Sequence, residues 1–128
     1  MAAPYRVLLA NEDPLERRAL TALLCSAGYD TIAAATFEEA RRALDRAVPD
    51  LLIAHLRLGA FNGLHLYLRG RAEKPDMAAI ITTGPEDASI KMEALEFGVL
   101  CVLTSVVTHD FLPTIAKVIE RRGTPAWH

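Results

Sequence analysis

The sequence predicts one α/β domain: a five-stranded parallel sheet, doubly wound, with five helices on its two faces. Five short apolar runs alternate with stretches whose apolar residues recur at helical spacing, the pattern of successive strand–helix units. The runs are nearly continuous in apolar residues rather than alternating, as strands read when both faces of a sheet are covered. Right-handed crossovers then distribute the helices over the two faces. A chain of 128 residues is one domain's worth and buries well over half of its unfolded surface without staples.

The first unit pairs the strand Val7–Ala10 with a helix opening at Asp13-Pro14-Leu15-Glu16. An acidic N-cap, Pro at the first helical position and Glu at the third make a capping-box arrangement. Leu20, Leu23, Leu24 and Ala27 follow the i, i+3, i+4, i+7 rule, and Gly28 stands where a left-handed C-terminal residue is wanted. The second strand is Thr31–Ala34, and Thr36-Phe37-Glu38-Glu39 again gives a hydroxyl cap with Glu three residues on. Ala40, Ala43, Leu44 and Ala47 make the buried stripe of this helix, which Val48-Pro49 stops because the residue before proline disfavours the α region.

Leu51–Ala54 reads as the third strand, with His55 at its end, followed by a loop around 57–62. Gly63 opens a helix carrying Leu64, Tyr67 and Leu68. Ala79–Thr83 is the fourth strand, closed by Gly84-Pro85. Glu86 and Asp87 then put negative charge at the start of a fourth helix, where the dipole favours it. Ala88, Met92 and Leu95 face the core from that helix, and Gly98 ends it. Val99–Leu103 is the fifth strand, and the last helix turns Leu112, Ile115, Val118 and Ile119 inward. Pro113 fits only a first turn, so this helix begins no earlier than about residue 109. Residues 123–128 read as a tail, either an ordinary end or the start of a linker.

A net charge of −2 with 52% hydrophobic and 23% charged residues describes an ordinary soluble globule, without the field that nucleic acid or a membrane surface requires. The Arg17-Arg18, Arg41-Arg42 and Arg121-Arg122 pairs read as solvated helix faces. Cys25 and Cys101 stand apart inside apolar runs, which suits reduced core thiols in a cytoplasmic protein. No run approaches the length of about 20 residues that spans a bilayer, and no leader pattern opens the chain.

From Arg6 to about Arg122 the order and spacing of motifs resemble the receiver domain family of two-component response regulators. Leu8-Leu9-Ala10-Asn11-Glu12-Asp13-Pro14 is similar to its first strand and acidic pocket, and Gly28-Tyr29 to the end of its first helix. Pro49-Asp50-Leu51-Leu52-Ile53 resembles the entry to its acceptor strand, Asn62-Gly63-Leu64 the start of its third helix, and Ile80-Ile81-Thr82-Thr83-Gly84 its switch-threonine strand. The resemblance implies a flavodoxin-like three-layer sandwich with strand order 2-1-3-4-5. It implies a non-enzymatic signalling domain whose partners are a histidine kinase, an effector, another receiver or a second copy of itself.

In that family an acidic pair and an acceptor aspartate hold magnesium, a lysine contacts the phosphoryl group, and a threonine and an aromatic residue report the change. Carried onto this chain, the pair falls on Asn11 and Glu12, the acceptor on His55, the threonine on Thr83, the aromatic on Val102 and the lysine on Ser105. Val106 stands where a proline usually follows the lysine. Only Glu12 and Thr83 match. Three pocket carboxylates have become one and the ammonium is gone, so magnesium, which prefers hard oxygen ligands, is expected to bind weakly or not at all. The sequence therefore predicts a receiver-like module in phosphorelay signalling that works without phosphorylation.

An alternative is a conventional receiver in which Asp13 restores the pocket, although Asp13 is wanted at the helix cap. Another is a small flavodoxin-like metal or cofactor binder, although Asn11-Glu12-Asp13-Pro14 lacks the glycine- or hydroxyl-rich backbone that cradles phosphate. His55 is expected to fill the old pocket as a neutral imidazole hydrogen-bonded to Glu12. Its other readings are a metal ligand with Glu12 and His65, a phosphorylated residue, and a pH sensor. Ile90, Ala94 and Phe97 form a second apolar stripe on the fourth helix and are the candidate interaction face, since receivers use that region for partners.

Overall fold

The computed structural model describes residues 5–84, 99–103 and 111–121. Within them the chain runs β1 (Arg6–Ala10), α1 (Pro14–Ser26), β2 (Asp30–Ala34), α2 (Phe37–Arg46), β3 (Leu51–His55), β4 (Arg57–Leu58), β5 (Phe61–Asn62), α3 (Gly63–Glu73), β6 (Ala78–Thr83), β7 (Leu100–Leu103) and α4 (Phe111–Glu120). The predicted fourth helix, with Ala88, Ile90, Met92, Ala94, Leu95 and Phe97, lies outside the described residues, as do Ser105 and Val106. Thus α4 is the helix predicted as the last, and Pro113 sits in its first turn.

Five strands form one parallel sheet in the order β2-β1-β3-β6-β7, the expected doubly wound order. Leu8, Leu52, Ala54 and Ile81 pack on one face with Ala40, Leu44, Leu64 and Tyr67 of α2 and α3. Val7, Leu9, Ile53 and Ile80 pack on the other with Leu20 and Leu24 of α1 and Phe111, Ile115 and Ile119 of α4. Adjacent residues of each central strand thus feed opposite cores, which is why these strands carry no polar alternation. No helix among the described residues is long and apolar enough to cross a membrane.

The helix ends follow the local chemistry. Asp13 Oδ1 accepts from the amides of Leu15 and Glu16 at 2.9 and 3.3 Å, capping α1. Glu16 does not complete a capping box; its carboxylate accepts from the Asn11 side-chain amide instead, at 3.3 Å. At the other end Gly28 has φ +90°, its amide reaches Cys25 O at 3.0 Å, and the Tyr29 amide reaches Leu24 O at 3.1 Å. These two bonds make a Schellman motif, in which glycine removes the Cβ penalty of the left-handed region. In α2 the Thr36 hydroxyl accepts from the Glu39 amide at 3.1 Å, and the Glu39 carboxylate returns to the Ala35 amide at 2.9 Å.

Several expectations are corrected. Cys25 is exposed rather than in the core, because it follows the buried Leu24 by one residue and so turns away from that stripe; both cysteines are free thiols. Ala27 and Ala47 are exposed caps beyond the last helical turns. Leu68 is exposed, and the buried face of α3 is Gly63, Leu64, Leu66, Tyr67 and Gly70. The predicted loop after β3 contains a two-stranded antiparallel ribbon, β4 with β5, turning at Gly59, whose φ is +64°.

Candidate functional site at the strand carboxyl ends

All five strands of the sheet are parallel, so their carboxyl ends lie on one edge, the place where open α/β sheets carry their chemistry. Register pairs Ala10 with Ala54, His55 with Thr82 and Thr83 with Leu103. The ends of β1, β3 and β6 thereby place Asn11, His55 and Thr83 on three adjacent strands. Val102 pairs with Thr82 on β7, half-buried against the core beneath α1 and α4.

Asn11 is 1% exposed and fully engaged. Its Oδ1 accepts from the Asp13 amide at 2.9 Å, its Nδ2 donates to Glu16 at 3.3 Å, and its own amide donates to Ala34 O at 3.1 Å. Arg17, one turn into α1, donates from Nη1 to the carbonyls of Asn11 at 2.9 Å and Glu12 at 3.3 Å. A guanidinium thus fastens the loop from behind, a role for Arg17 that the reading of it as a solvated charge missed. Its signal was its place four residues after the Asp13 cap, where a side chain pointing toward the helix N-terminus overhangs that loop.

Glu12 is exposed, and its Oε1 lies 3.7 Å from where a Cβ on Gly59 would stand. The expected His55–Glu12 hydrogen bond does not form. The ribbon begins two residues after His55 and turns the imidazole onto its own backbone: Nδ1 accepts from the Arg57 amide at 3.2 Å and lies 3.3 Å from Arg57 O. The bond from the Arg57 amide belongs to the tautomer with its proton on Nε2, and the contact with Arg57 O to the one with its proton on Nδ1.

Thr83 is buried, and its hydroxyl donates to Gly84 O at 3.1 Å. The neighbouring Thr82 hydroxyl, also buried, has no hydrogen-bond partner among the described residues. His65 stands apart from this constellation, its Nδ1 accepting from the Asn62 amide at 3.3 Å beside the rings of Phe37 and Phe61. It therefore does not join Glu12 and His55, and among the described residues no group of three His, Cys, Asp or Glu side chains could hold a metal ion. Gly63 was read only as a helix start, yet a Cβ there would stand 2.8 Å from His55 O, so its lack of a side chain lets α3 close against the site.

Among curated proteins the chain is similar to the transcriptional regulatory protein GlrR of Escherichia coli, 32% identical over 123 residues that make up 96% of this chain and 28% of that protein. It is similar also to the transcriptional regulatory protein FixJ of Bradyrhizobium diazoefficiens, 26% identical over 98% of this chain and 62% of that protein. The chain thus spans under a third of the length of the first of these relatives. A CheY-like response regulator receiver domain protein from Methanospirillum hungatei superposes with TM-score 0.84 at 21% identity, covering 92% of this chain and 95% of that one, a likeness of fold. A response regulator receiver protein from Pseudomonas putida gives TM-score 0.76 at 28% identity, covering 95% of this chain and all of the other. Residues 7–116, which contain the first core cluster, all of the second but its last turn at Val118 and Ile119, and the strand-end constellation, match the response regulator receiver domain, and the chain belongs to that family.

Proposed function

We propose that this receiver domain does not accept phosphate at the family's acceptor position and serves as a phosphorylation-independent protein-interaction module. Receiver domains are signalling modules that work with kinases and effector domains. The observation that carries the reading is His55, which ends β3, the position onto which the sequence resemblance carries the family's aspartate, and whose Nδ1 is held by the Arg57 backbone. The described residues do not fit magnesium. Asn11 Oδ1 accepts from the Asp13 amide, Glu12 is the one carboxylate of the pair, and an imidazole is a poor ligand for this hard cation. Asp13 offers no rescue, since its carboxylate caps α1.

The partner is a kinase, an effector domain, another receiver or a second copy of this chain, in the cytoplasm. The modest net charge of −2 favours protein over nucleic acid.

The test is an amide NMR titration of the whole chain, first with magnesium and then with magnesium plus beryllium fluoride, following Glu12, His55, Thr83 and Ser105. The expected outcome is no saturable shift in either step. Saturable shifts in the second step would overturn the proposal and restore a conventional phosphoryl switch. Metal analysis and an absorbance spectrum of the purified protein separate it from a metal or cofactor binder.

A further inference from the structure

We infer that His65 is a pH-operated latch on the segment that follows His55. Asn62 caps α3 by accepting from the amides of Leu64 at 2.9 Å and His65 at 3.3 Å. The reciprocal bond of the box runs from the Asn62 amide to His65 Nδ1 at 3.3 Å. A capping box ordinarily takes Glu or Gln at this position, side chains that keep an acceptor throughout the neutral and mildly acidic range. Imidazole does not, since protonation turns both ring nitrogens into donors. Protonated His65 would confront the Asn62 amide with a second donor and put positive charge at the positive end of a helix. Acid opens the latch and base closes it.

The ring holds more than a cap. Phe37 of α2 and Phe61 of the ribbon stack with centroids 4.4 Å apart, and His65 meets both edge-on at 6.3 and 6.1 Å. The latch therefore ties α2, the ribbon and α3 at one point. Asn62 is the register partner of Arg57, whose amide holds His55 Nδ1, so a change at His65 reaches the site through one strand pair.

Several of the charged and titratable groups on the elements around the ring are engaged elsewhere, and Arg42 and Arg46 of α2 and Glu73 of α3 make no hydrogen bond to it. Glu38 is bonded to Arg41 at 2.7 Å, Glu39 to the Ala35 amide at 2.9 Å, Arg69 to Asp45 at 2.8 and 3.0 Å, and His55 to the Arg57 backbone. Arg57 pairs with Asn62 in the ribbon, and none of Glu38, Glu39, Asp45, Arg69 and His55 bonds to the His65 ring among the described residues. His65 is itself exposed, so protons reach it directly.

The experiment is an NMR pH titration of the whole chain that follows the His65 ring protons, the Asn62 and Arg57 amides and the ring protons of Phe37 and Phe61. The expected result is one shared midpoint, with loss of Asn62 amide protection on the acid side. In His65→Gln, which keeps an acceptor at every pH, those responses disappear while the folded spectrum remains. In His55→Gln the Asn62 and phenyl responses persist at the His65 midpoint, which separates the latch from titration of His55. Asn62 and phenyl signals that ignore the His65 midpoint, or that respond unchanged in His65→Gln, would overturn the inference.

Discussion

His55 and Gly63 fix each other's place. The strand delivers His55 to the sheet edge, and the missing side chain of Gly63 lets the first turn of α3 lie against the His55 carbonyl. A Cβ on Gly63 would meet His55 O at 2.8 Å, Ala54 Cβ at 3.1 Å and Ile81 Cδ1 at 3.2 Å, of which the first belongs to backbone that cannot step aside. Gly63→Ala is therefore expected to cost about 1–3 kcal/mol in urea unfolding and to move the His55 ring resonances. Gly70→Ala is the internal control. Its Cβ would meet Met77 Sδ at 2.6 Å, the end of a flexible side chain that can shift, so the loss there should be the smaller. At this scale the sequence was partly legible. His55 could be named from the resemblance as the residue ending the third strand, but not its orientation, because the Arg57 amide that holds it is placed by a ribbon with no side-chain signature.

At the scale of elements, boundaries were legible where a side chain caps the backbone next to it. Asp13, Thr36 and Gly28 act within a few residues, and each sits where its local chemistry predicts. Replacing Asp13 by Ala leaves the Leu15 and Glu16 amides without their acceptor, and a loss of about 1 kcal/mol in thermal or urea unfolding is expected. The β4–β5 ribbon was not legible, since strands of two residues have no periodicity to read.

The pairing of α2 with α3 gives a pH prediction. Arg69 donates two hydrogen bonds to Asp45, at 2.8 and 3.0 Å, and holds its carboxyl below the ordinary aspartate range. The folded value is the depressed one, so the contribution is complete above the unfolded aspartate range and fades as pH falls through the folded value. Arg69→Gln should flatten the acid-side fall of the thermal midpoint while leaving the fold intact. Both groups are exposed, so the effect is modest and shrinks in high salt.

Across the whole molecule, the order of strands was legible because continuous apolar runs and crossover handedness leave few topologies open. What escaped notice is the clasp at the opposite end of the sheet, where Asp50 accepts from the Arg6 amide and from Lys74 Nζ, each at 2.9 Å. It joins residues 44 and 24 positions apart, separations that no local pattern reports. Burial sets the sensitivity of the core: Ile53 is fully buried on the central strand, whereas Ile32 on the edge strand is 47% exposed. Ile53→Ala is expected to cost about 2–5 kcal/mol in urea unfolding, and Ile32→Ala far less. The core of β3 stops at Ala54, and His55 is the first residue of that strand outside it. The molecule thus divides into a frame of buried apolar side chains and a rim, begun on this strand by His55, whose side chain belongs to neither core cluster. A new side chain at His55 therefore changes what the rim offers to a partner and leaves the packing of the frame as it is.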